Sequence, residues 1–379
     1  MTAGSADTTN GTDGTTPGAD PGRVGAWLAG ELGDDRWRDC RLSTIGAGRS
    51  NLTYRVQSPA GSVVLRRPPV GSVAETAHDM GRERRVMSAL AGTAVPVPAV
   101  LAFHEGSGGG PVDADCFVME MVEGVVPLSR DLPDGWASDE ADRARAGQAL
   151  VDVLGELHGV DPESVGLGDF GRPDGFMERQ IRRWGKQWAA ARDDSSTPSA
   201  TDERTEHELT RLSERLASAV PVTQRHTIVH GDYRIDNCLY AADDPGRVRA
   251  VLDWEMSTLG DPMADLGLLL VYWEQDGDAA VWSDAQRLPS PTGLPGFPTR
   301  AEIALAYRGR TGLDLTPLPW YAGFGAFKLA VVLAGILSRV RAGAVPPDMA
   351  EGLEEAVGPL VALGHHILDS GTDAFPGLG

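Results

Sequence analysis

Most of what this chain reveals lies in His230-Gly231-Asp232-Tyr233-Arg234-Ile235-Asp236-Asn237 and, shortly after it, in Val251-Leu252-Asp253-Trp254-Glu255. Each segment borders an apolar, β-prone run, so both are predicted to lie on loops beside short strands. The first loop carries a carboxylate five residues before an asparagine, and a second carboxylate follows the next strand. This order and spacing is the layout of a phosphoryl-transfer site.

Three residues of these segments are predicted to do the chemistry. In phosphoryl transfer to an alcohol, a carboxylate must orient the hydroxyl and accept its proton, and Asp232 is the predicted catalytic base. The amide oxygen of Asn237 and the carboxylate of Asp253 are the predicted metal ligands, because Mg²⁺ prefers oxygen. Each of the three could instead be a turn residue, since Asp and Asn favour turns. The set in this order favours the catalytic interpretation.

Four further residues are predicted to support the site. His230 and Asp236 belong to the same loop and could hydrogen-bond the backbone that aims the catalytic base. Asp261 and Asp265 follow the second segment, and we expect them to cap a helix or to brace the loop. A direct catalytic role is the alternative for Asp261 and Asp265.

Length, composition and charge limit the classes of protein to which this chain can belong. The chain has 379 residues, which suggests two lobes or domains, and 41% of them are apolar, as in an ordinary soluble globular protein. Its net charge of -20 argues against nucleic acid as a partner, since phosphate binding needs a basic surface. The acidity would attract a cationic substrate, although it mostly reports solubility.

The cysteines and one apolar stretch are used to predict the cellular compartment of the protein. Cys40, Cys116 and Cys238 are far apart and do not form a disulfide framework, which predicts a reducing cytoplasm. The N-terminus lacks the basic and apolar regions of a signal peptide. Residues 320–337 are long and apolar enough for a membrane span, but Lys328 and three glycines favour a buried core helix, so no membrane is expected as a partner.

The first part of the chain is predicted to form a small β-rich lobe over residues 23–123. Residues 1–22 are rich in Gly, Thr, Asp and Ala and are expected to be disordered. A short helix over residues 25–32 is expected next, and a longer one over residues 73–90. Alternation and turn signals predict five strands, which begin at residue 41 and continue at 51–56, 62–66, 100–104 and 116–121.

Residues 124–379 are predicted to form a larger, mostly helical lobe. Ser138 is expected to cap a helix that runs to about His158, and another helix is expected over residues 175–192. Thr299 and Glu302 form a capping box that opens a later helix. The catalytic segments lie on short strands and loops between these helices.

The small lobe holds candidate nucleotide contacts. Residues 45–51 form a Gly-containing turn whose N–H groups could approach phosphate oxygens, although most such hairpins bind nothing. A strand arginine steadied by a helix glutamate could hold the α- and β-phosphates; the alternative is a solvated arginine and an ordinary surface glutamate. The candidate contacts in this lobe are Gly46, Gly48, Ser50, Asn51, Val64, Arg66 and Glu83.

Two other segments have open alternatives. Backbone groups from Glu120 to Val122, in the connection between the lobes, could bond an adenine edge, and the same segment could simply be a core strand. Arg179 and Arg183 belong to a basic cluster beside Trp184. This cluster could contact an anionic substrate or form a solvated face over packed tryptophans.

These residues resemble the aminoglycoside phosphotransferase and choline kinase group of small-molecule kinases. His230-Gly231-Asp232 with Asn237 is similar to the catalytic loop of the group, and Asp253-Trp254-Glu255 to its metal-binding segment. Two longer strings, Arg179-Gln180-Ile181-Arg182-Arg183-Trp184 and residues 253–262, are more similar still to the kinase-like branch found fused to acyl-CoA dehydrogenases. The resemblance covers about residues 40–345.

The resemblance implies an α+β, two-lobed protein-kinase-like fold, with ATP or GTP as donor, Mg²⁺, and phosphorylation of a hydroxyl on a small molecule. It implies that Asp232 is the base, that Asn237 and Asp253 bind metal, and that Arg66 with Glu83 forms the phosphate-anchoring pair. Much of the group has Lys where this chain has Arg66, and Arg keeps the charge with a different geometry. We interpret the arginine as a variant rather than a sign of inactivity.

Several readings compete for the function. The leading hypothesis is a small-molecule O-phosphotransferase whose acceptor is an aminoglycoside-like antibiotic or another metabolite; a hydroxyacyl-CoA is the alternative acceptor. A non-catalytic nucleotide-binding regulatory protein is the rival class, supported only by the Arg66 exchange. A protein kinase is weaker, because no activation-loop signature separates Asp253 from Asp265. The sequence leaves the acceptor, the preferred donor and the oligomeric state open.

Overall fold

A computed structural model of the chain describes residues 16–45, 51–70, 79–106, 110–192, 201–286, 290–343, 345, 347–350 and 352–378. The chain divides into two compact units, one formed by Met1–Ser88 with Pro98–Met121 and the other by Ala89–Val97 with Val122–Gly379. Among the described residues the first unit is built around one sheet and the second is mostly helical, which agrees with the predicted fold class.

The first helix, α1 (Pro21–Leu32), begins earlier than predicted. The carboxylate of Asp20 accepts a hydrogen bond from the backbone of Arg23 at 2.8 Å, and proline occupies the first helical turn. Gly33 ends the helix with a φ of 67°. The prediction of disorder was therefore wrong for residues 16–22, which precede and open the helix; residues 1–15 lie outside the described part of the chain.

One antiparallel sheet forms the centre of the first unit. Its strands are β1 (Arg41–Thr44), β2 (Leu52–Ser58), β3 (Gly61–Arg67), β4 (Val100–His104) and β5 (Cys116–Glu120), arranged in the order β1-β2-β3-β5-β4. Side chains alternate between its faces, so Val63 and Leu65 pack in a core with Val24 and Leu28 of α1. Arg66 projects from the other face. All five strands lie close to their predicted positions.

The second helix that the structure describes is α2 (Met80–Leu90). Asp79 is not helical, and its carboxylate accepts from the backbone of Arg82 at 2.9 Å while its carbonyl accepts from that of Glu83 at 3.2 Å. Asp79 thus caps α2, and the part of the expected helix before it, from residue 73, falls on residues that the structure does not describe. Residues 71–78 lie outside the described residues.

The second unit contains most of the helices. They are α3 (Glu140–Gly159), α4 (Phe176–Arg192), α5 (Glu203–Ser218), α6 (Met263–Tyr272), α7 (Ala280–Ala285), α8 (Arg300–Thr311), α9 (Leu318–Arg341) and α10 (Val357–Ser370). The cap of α3 is Asp139, not Ser138, because the Asp139 carboxylate accepts from the backbone of Asp142 at 2.8 Å. The predicted capping box of Thr299 and Glu302 is confirmed at the start of α8.

The longest apolar helix, α9, packs against α4, α5, α6 and α10. Its length and composition would allow it to cross a membrane, which is weak evidence because core helices pass the same test. In its most apolar window 67% of the residues are buried inside the protein. This burial agrees with the predicted core helix.

Two small antiparallel pairs of strands carry the segments quoted first. β6 (Thr227–Val229) pairs with β9 (Thr258–Gly260), and β7 (Cys238–Ala241) pairs with β8 (Asp244–Val251). Residues 230–237 connect β6 to β7, and residues 252–257 connect β8 to β9. The pairing of the strands therefore brings the two loops to one place in the second unit.

Candidate active site

One buried carboxylate holds the backbone at the start of the loop from His230 to Asn237. Asp265, in the first turn of α6, accepts from the backbone N–H of His230 at 2.7 Å and from that of Gly231 at 2.8 Å. His158 of α3 contacts the same carboxylate at 3.2 Å through Nε2, and its Nδ1 lies 2.6 Å from the hydroxyl of Tyr307. Three helices thus fix the start of the loop through side chains.

The charge of Asp265 is maintained despite its burial. With 1% of its surface exposed, burial alone would raise the pKa of this carboxyl. The hydrogen bond and charge interaction with His158, together with the backbone N–H of His230, outweigh that effect and lower the pKa below its usual value. Asp265 therefore acts as a negatively charged acceptor under the loop.

His230 ties the two catalytic segments together. Its Nδ1 accepts from the backbone N–H of Asp232 at 3.2 Å, and its Nε2 lies 2.9 Å from the carbonyl of Leu252. Because Nδ1 accepts, Nε2 is the nitrogen that donates to that carbonyl. The imidazole is fully buried, with its centroid 4.7 Å from that of the Trp254 ring. The ring therefore holds the backbone N–H of Asp232 on one side and, on the other, the carbonyl of Leu252, the residue before Asp253.

Asp232 and Asn237 contact each other directly. The side-chain nitrogen of Asn237 donates to the carbonyl of Asp232 at 2.8 Å and lies 3.3 Å from Asp232 Oδ2. Both side chains are half-buried. An amide that turns its nitrogen toward Asp232 turns its oxygen away, and that oxygen is the group a metal ion would use.

Asp253 lies next to this pair along the paired strands. The backbone N–H of Leu252 donates to the carbonyl of Asn237 at 2.8 Å. This hydrogen bond joins Asn237 to the residue directly before Asp253, so it links the segments of the two metal-binding candidates. The backbone of Asp253 has a φ of 66° and a ψ of 60°, a left-handed conformation that residues other than glycine seldom adopt. Such backbone strain persists only where the surroundings enforce it, and it is often found at functional sites.

The carbonyl of Gly231 has a partner that sequence reasoning missed. Lys328 of α9 donates to it from Nζ, and Lys328 has only 9% of its surface exposed. The available signal was a lysine within the apolar stretch of residues 320–337. His158 and Tyr307, which hold Asp265, were also missed, because neither lies near a recognisable motif.

Asp236 and Asp261 take part in two neighbouring contacts. Asp236 pairs with Arg234 at 2.5 Å, and the guanidinium of Arg234 lies 4.6 Å from the centroid of the Tyr272 ring. Burial, reinforced by nearby Asp232, raises the pKa of Asp236 although Arg234 acts to lower it. Asp261 accepts from the backbone of Met263 at 3.0 Å at the start of α6 and from the hydroxyl of Tyr321 at 2.6 Å.

The first unit carries a buried ion pair between a strand and a helix. Nε of Arg66, on β3, lies 2.8 Å from Oε1 and 2.9 Å from Oε2 of Glu83, on α2. Their side chains are 12% and 2% exposed, so the solvated-surface alternative does not hold for this pair. Val64 and Asn51 are also buried in this unit. Gly46, Gly48 and Ser50 lie outside the described residues.

The remaining candidates have mixed environments. The backbone N–H of Glu120 donates to the carbonyl of Ala99 at 2.8 Å, so this donor is engaged within the first unit, while Val122 is half-buried at the start of the second. Arg179 donates to the carbonyls of Asp174 and Arg172. Arg183 is exposed, and its guanidinium lies 5.4 Å from the centroid of the Trp184 ring.

The described residues of the second unit thus place the half-buried carboxylate of Asp232, the amide oxygen of Asn237 and the carboxylate of Asp253 on two loops that side chains hold in place. Carboxylate and amide oxygens form a hard ligand set of the kind that Mg²⁺ binds while keeping several waters. A carboxylate beside such a set can orient and deprotonate a hydroxyl. The donor set is therefore chemically suited to phosphoryl transfer.

Comparison with known proteins gives one family and several relatives. Residues 41–302 match the model of the phosphotransferase enzyme family. Acyl-CoA dehydrogenase family member 10 of Mus musculus is 32% identical over 318 residues, which cover 84% of this chain and 28% of that protein. A probable acyl-CoA dehydrogenase of Arabidopsis thaliana, IBR3, is 31% identical over 314 residues, which cover 79% of this chain and 36% of that protein. The chain thus spans about a third of the length of these curated relatives.

Solved structures with the same fold include antibiotic and metabolite kinases. A Ralstonia eutropha protein assigned to the aminoglycoside phosphotransferases is 30% identical, with a TM-score of 0.74 and coverage of 93% of this chain and 99% of that one. Aminoglycoside phosphotransferase APH(4)-Ia, in complex with AMP-PNP and hygromycin B, is 16% identical with a TM-score of 0.56, and covers 90% and 98%. These likenesses confirm the predicted kinase-like fold.

Proposed function

Because this chain belongs to the phosphotransferase enzyme family, we propose that it transfers the γ-phosphoryl group of ATP or GTP, with Mg²⁺, to a hydroxyl of a small molecule. The observation that carries the proposal is the contact between Asp232 and Asn237 on a loop whose backbone is fixed by His230 and Asp265. A site of this kind acts by positioning and charge stabilisation more than by covalent chemistry.

Asp232 is the proposed base. Its carboxylate would accept the proton of the acceptor hydroxyl as that oxygen forms a bond to the γ-phosphorus. The bond between the γ-phosphorus and the β–γ bridging oxygen breaks at the same time, and the nucleoside diphosphate leaves with that electron pair. The hydrogen bonds from Asn237 and through His230 keep the carboxylate aimed while this happens.

Asn237 and Asp253 are the proposed metal ligands. Both supply oxygen, and the backbone hydrogen bond between Asn237 and Leu252 keeps their segments together. A bound Mg²⁺ would offset the negative charge of the β- and γ-phosphates. The left-handed conformation of Asp253 is the feature that most favours a functional reason for this residue.

The buried Arg66–Glu83 pair is the proposed phosphate anchor of the first unit. Arginine stays protonated when buried and presents a planar set of donors, so it can replace a lysine as the cation while bonding phosphate with different geometry. Residues 45–51, with Gly46, Gly48, Ser50 and Asn51, are proposed to form a turn that covers the phosphates. Val64, Glu120 and Val122 are proposed to contact the base.

The acceptor is proposed to be a small molecule, either an aminoglycoside-like antibiotic or another metabolite. Structural relatives with this fold include a complex with hygromycin B and an aminopropanol kinase. A hydroxyacyl-CoA is the second candidate, favoured by the exposed Arg183 beside Trp184 and by curated relatives named as acyl-CoA dehydrogenases. Arg179 is the weaker contact, since its guanidinium is bonded to backbone carbonyls.

The test separates binding from turnover. Thermal unfolding is followed with ATP and with GTP, with and without Mg²⁺, because a ligand of the folded state raises the melting temperature. We expect a magnesium-dependent rise with at least one nucleotide. Asp232→Asn is then expected to keep that rise and to abolish formation of the nucleoside diphosphate. Normal turnover in this variant would contradict the mechanism, and binding without turnover in the wild type against a panel of alcohols would favour the regulatory alternative.

A further inference from the structure

The peptide unit between Gly231 and Asp232 is held by a side chain at each of its polar groups. Its N–H, which belongs to Asp232, donates to Nδ1 of His230 at 3.2 Å. Its carbonyl, which belongs to Gly231, accepts from Nζ of Lys328. Because this unit leads directly into the Cα of Asp232, its orientation decides where the Asp232 carboxylate points.

This peptide unit is one that needs to be held. Gly231 has a φ of +86°, and a Cβ there would lie 2.7 Å from the carbonyl oxygen of Met256, so only glycine fits. Glycine lacks the steric limits that fix other residues, and the neighbouring peptide can therefore rotate at small cost. A hydrogen bond at each end removes that freedom.

Lys328 reaches this carbonyl from a distant part of the chain. It lies 97 residues after Gly231, within α9, and its Nζ is 5.5 Å from the centroid of the Trp184 ring on α4. A single ammonium thus joins the catalytic loop to two helices of the second unit. Trp184 is itself buried, so the contact is shielded from water.

Burying an ammonium is costly, and the surroundings show what offsets the cost. Burial lowers the pKa of Lys328, while the carboxylates of Asp232 and Asp265 act to raise it and Arg183 acts to lower it. The loop and α6 therefore supply the negative charges, and α4 supplies the opposing cation. A lysine with no role at this loop would be expected to point its ammonium into solvent.

We propose that Lys328 is a positioning residue for phosphoryl transfer: its ammonium fixes the Gly231 carbonyl and so the direction of the Asp232 carboxylate. It acts through the loop and does not bind the nucleotide. The kinetic consequence rests on the proposed function, whereas the effect on the loop does not. The competing explanation is that Lys328 only stabilises the packing of α9.

The kinetic test uses Lys328→Met, which keeps an unbranched side chain and removes the charge. The rate of ADP release from Mg·ATP is measured with water as the acceptor. We expect kcat to fall about ten- to a hundredfold, because small misplacements of a catalytic group have effects of this size, with the KM for ATP unchanged. Arg339→Met, at an exposed cation in the last turn of the same helix, is the matched control and should behave as wild type.

Hydrogen exchange tests the loop without any need for turnover. The backbone amides of residues 230–237 should exchange faster in Lys328→Met than in wild type and in Arg339→Met, well below the melting temperature. In Lys328→Arg, which keeps a cation, these amides should exchange more slowly than in Lys328→Met. If the methionine variant does not fold, the arginine variant tests the same point by comparison with wild type. Unchanged exchange in Lys328→Met overturns the proposal, as does an unchanged kcat per folded molecule with a lowered melting temperature.

The two proposals can fail separately. If Asp232→Asn releases ADP as fast as wild type, the proposed catalytic role of Asp232 is wrong. The exchange of residues 230–237 in Lys328→Met would still decide whether Lys328 holds the loop. If instead Asp232→Asn is inactive and Lys328→Met is fully active, only the inference about Lys328 is wrong.

Discussion

Asp265 holds the main chain of His230 across 35 residues of sequence: one carboxylate oxygen lies 2.7 Å from the backbone nitrogen of His230. The other oxygen holds the next N–H, that of Gly231, at 2.8 Å. A loop that leaves a strand has backbone N–H groups without partners in the sheet, and a buried loop must find them elsewhere. Here one side chain satisfies two of them, directly before the proposed base.

Replacing Asp265 with asparagine should therefore loosen the loop. An amide has one oxygen to accept with, so one of the two N–H groups would face an NH₂ group. We expect Asp265→Asn to lower the free energy of unfolding by about 1–3 kcal/mol, measured by urea denaturation, and to lower turnover as well. Asp284→Asn, at an exposed position of α7, is the control. Equal stability of the two variants would show that the buried carboxylate is not needed.

The same carboxylate predicts a pH dependence. Its pKa in the folded protein lies below the ordinary 3.8, since the contacts with His158 and the His230 backbone outweigh its burial. A lowered folded pKa adds stability that is fully present above the unfolded value and is lost as pH falls through the folded value. The stability difference between wild type and Asp265→Asn should be constant near neutral pH and shrink as the pH drops below 3.8. A difference that grows toward acid pH would have the wrong sign.

Local patterns predicted the strands well, because their causes lie within short segments. The alternation of Val63, Val64, Leu65 and Arg66 decides which face each residue occupies, and the structure follows it. Helix starts were less predictable. Ser138 and Asp139 are both good caps, and sequence alone does not say which carboxylate or hydroxyl reaches a backbone N–H.

The contacts that hold the loop could not be predicted from the sequence. Asp265 and Lys328 reach residues 230–231 from two different helices, and His158 holds Asp265 from a third. Only the packing of those helices brings these side chains together. Lys328 is the clearest case, because a lysine in an apolar helix carries no indication of the carbonyl that it will meet. Sequence motifs predict which groups react, whereas only the tertiary structure shows which side chains hold the loop that carries them.

Gly231→Ala is expected to disrupt the loop. The left-handed φ of +86° is strained for alanine, and the new Cβ would lie 2.7 Å from the carbonyl oxygen and 2.9 Å from the Cβ of Met256. We expect loss of activity and a lower melting temperature. Gly309→Ala is the matched control, since Gly309 lies exposed within α8 with no atom near its added Cβ, and should be stabilising by about 0.4–1 kcal/mol. An active Gly231→Ala enzyme would show that this backbone can rearrange without consequence.

The Arg66–Glu83 pair predicts an asymmetric response to mutation in the first unit. Arg66→Met removes the guanidinium that lies 2.8 Å from a carboxylate with 2% exposure. Taking one partner from a buried pair typically costs about 3–5 kcal/mol, because the other charge stays buried. Urea denaturation should show a loss of this order, whereas Arg41→Met, at an exposed position of β1, should change stability little.

Adding Glu83→Gln to Arg66→Met should restore part of that stability, because a neutral amide is easier to bury than a carboxylate deprived of its cation. The double variant should nevertheless lose the rise in melting temperature with Mg·ATP, since the proposed anchor for the phosphates is gone. Arg66→Lys should retain part of this rise in melting temperature, because lysine keeps the positive charge but lacks the planar donors of arginine. If the double variant binds Mg·ATP as wild type does, the pair stabilises the fold of the first unit and has no part in holding the nucleotide.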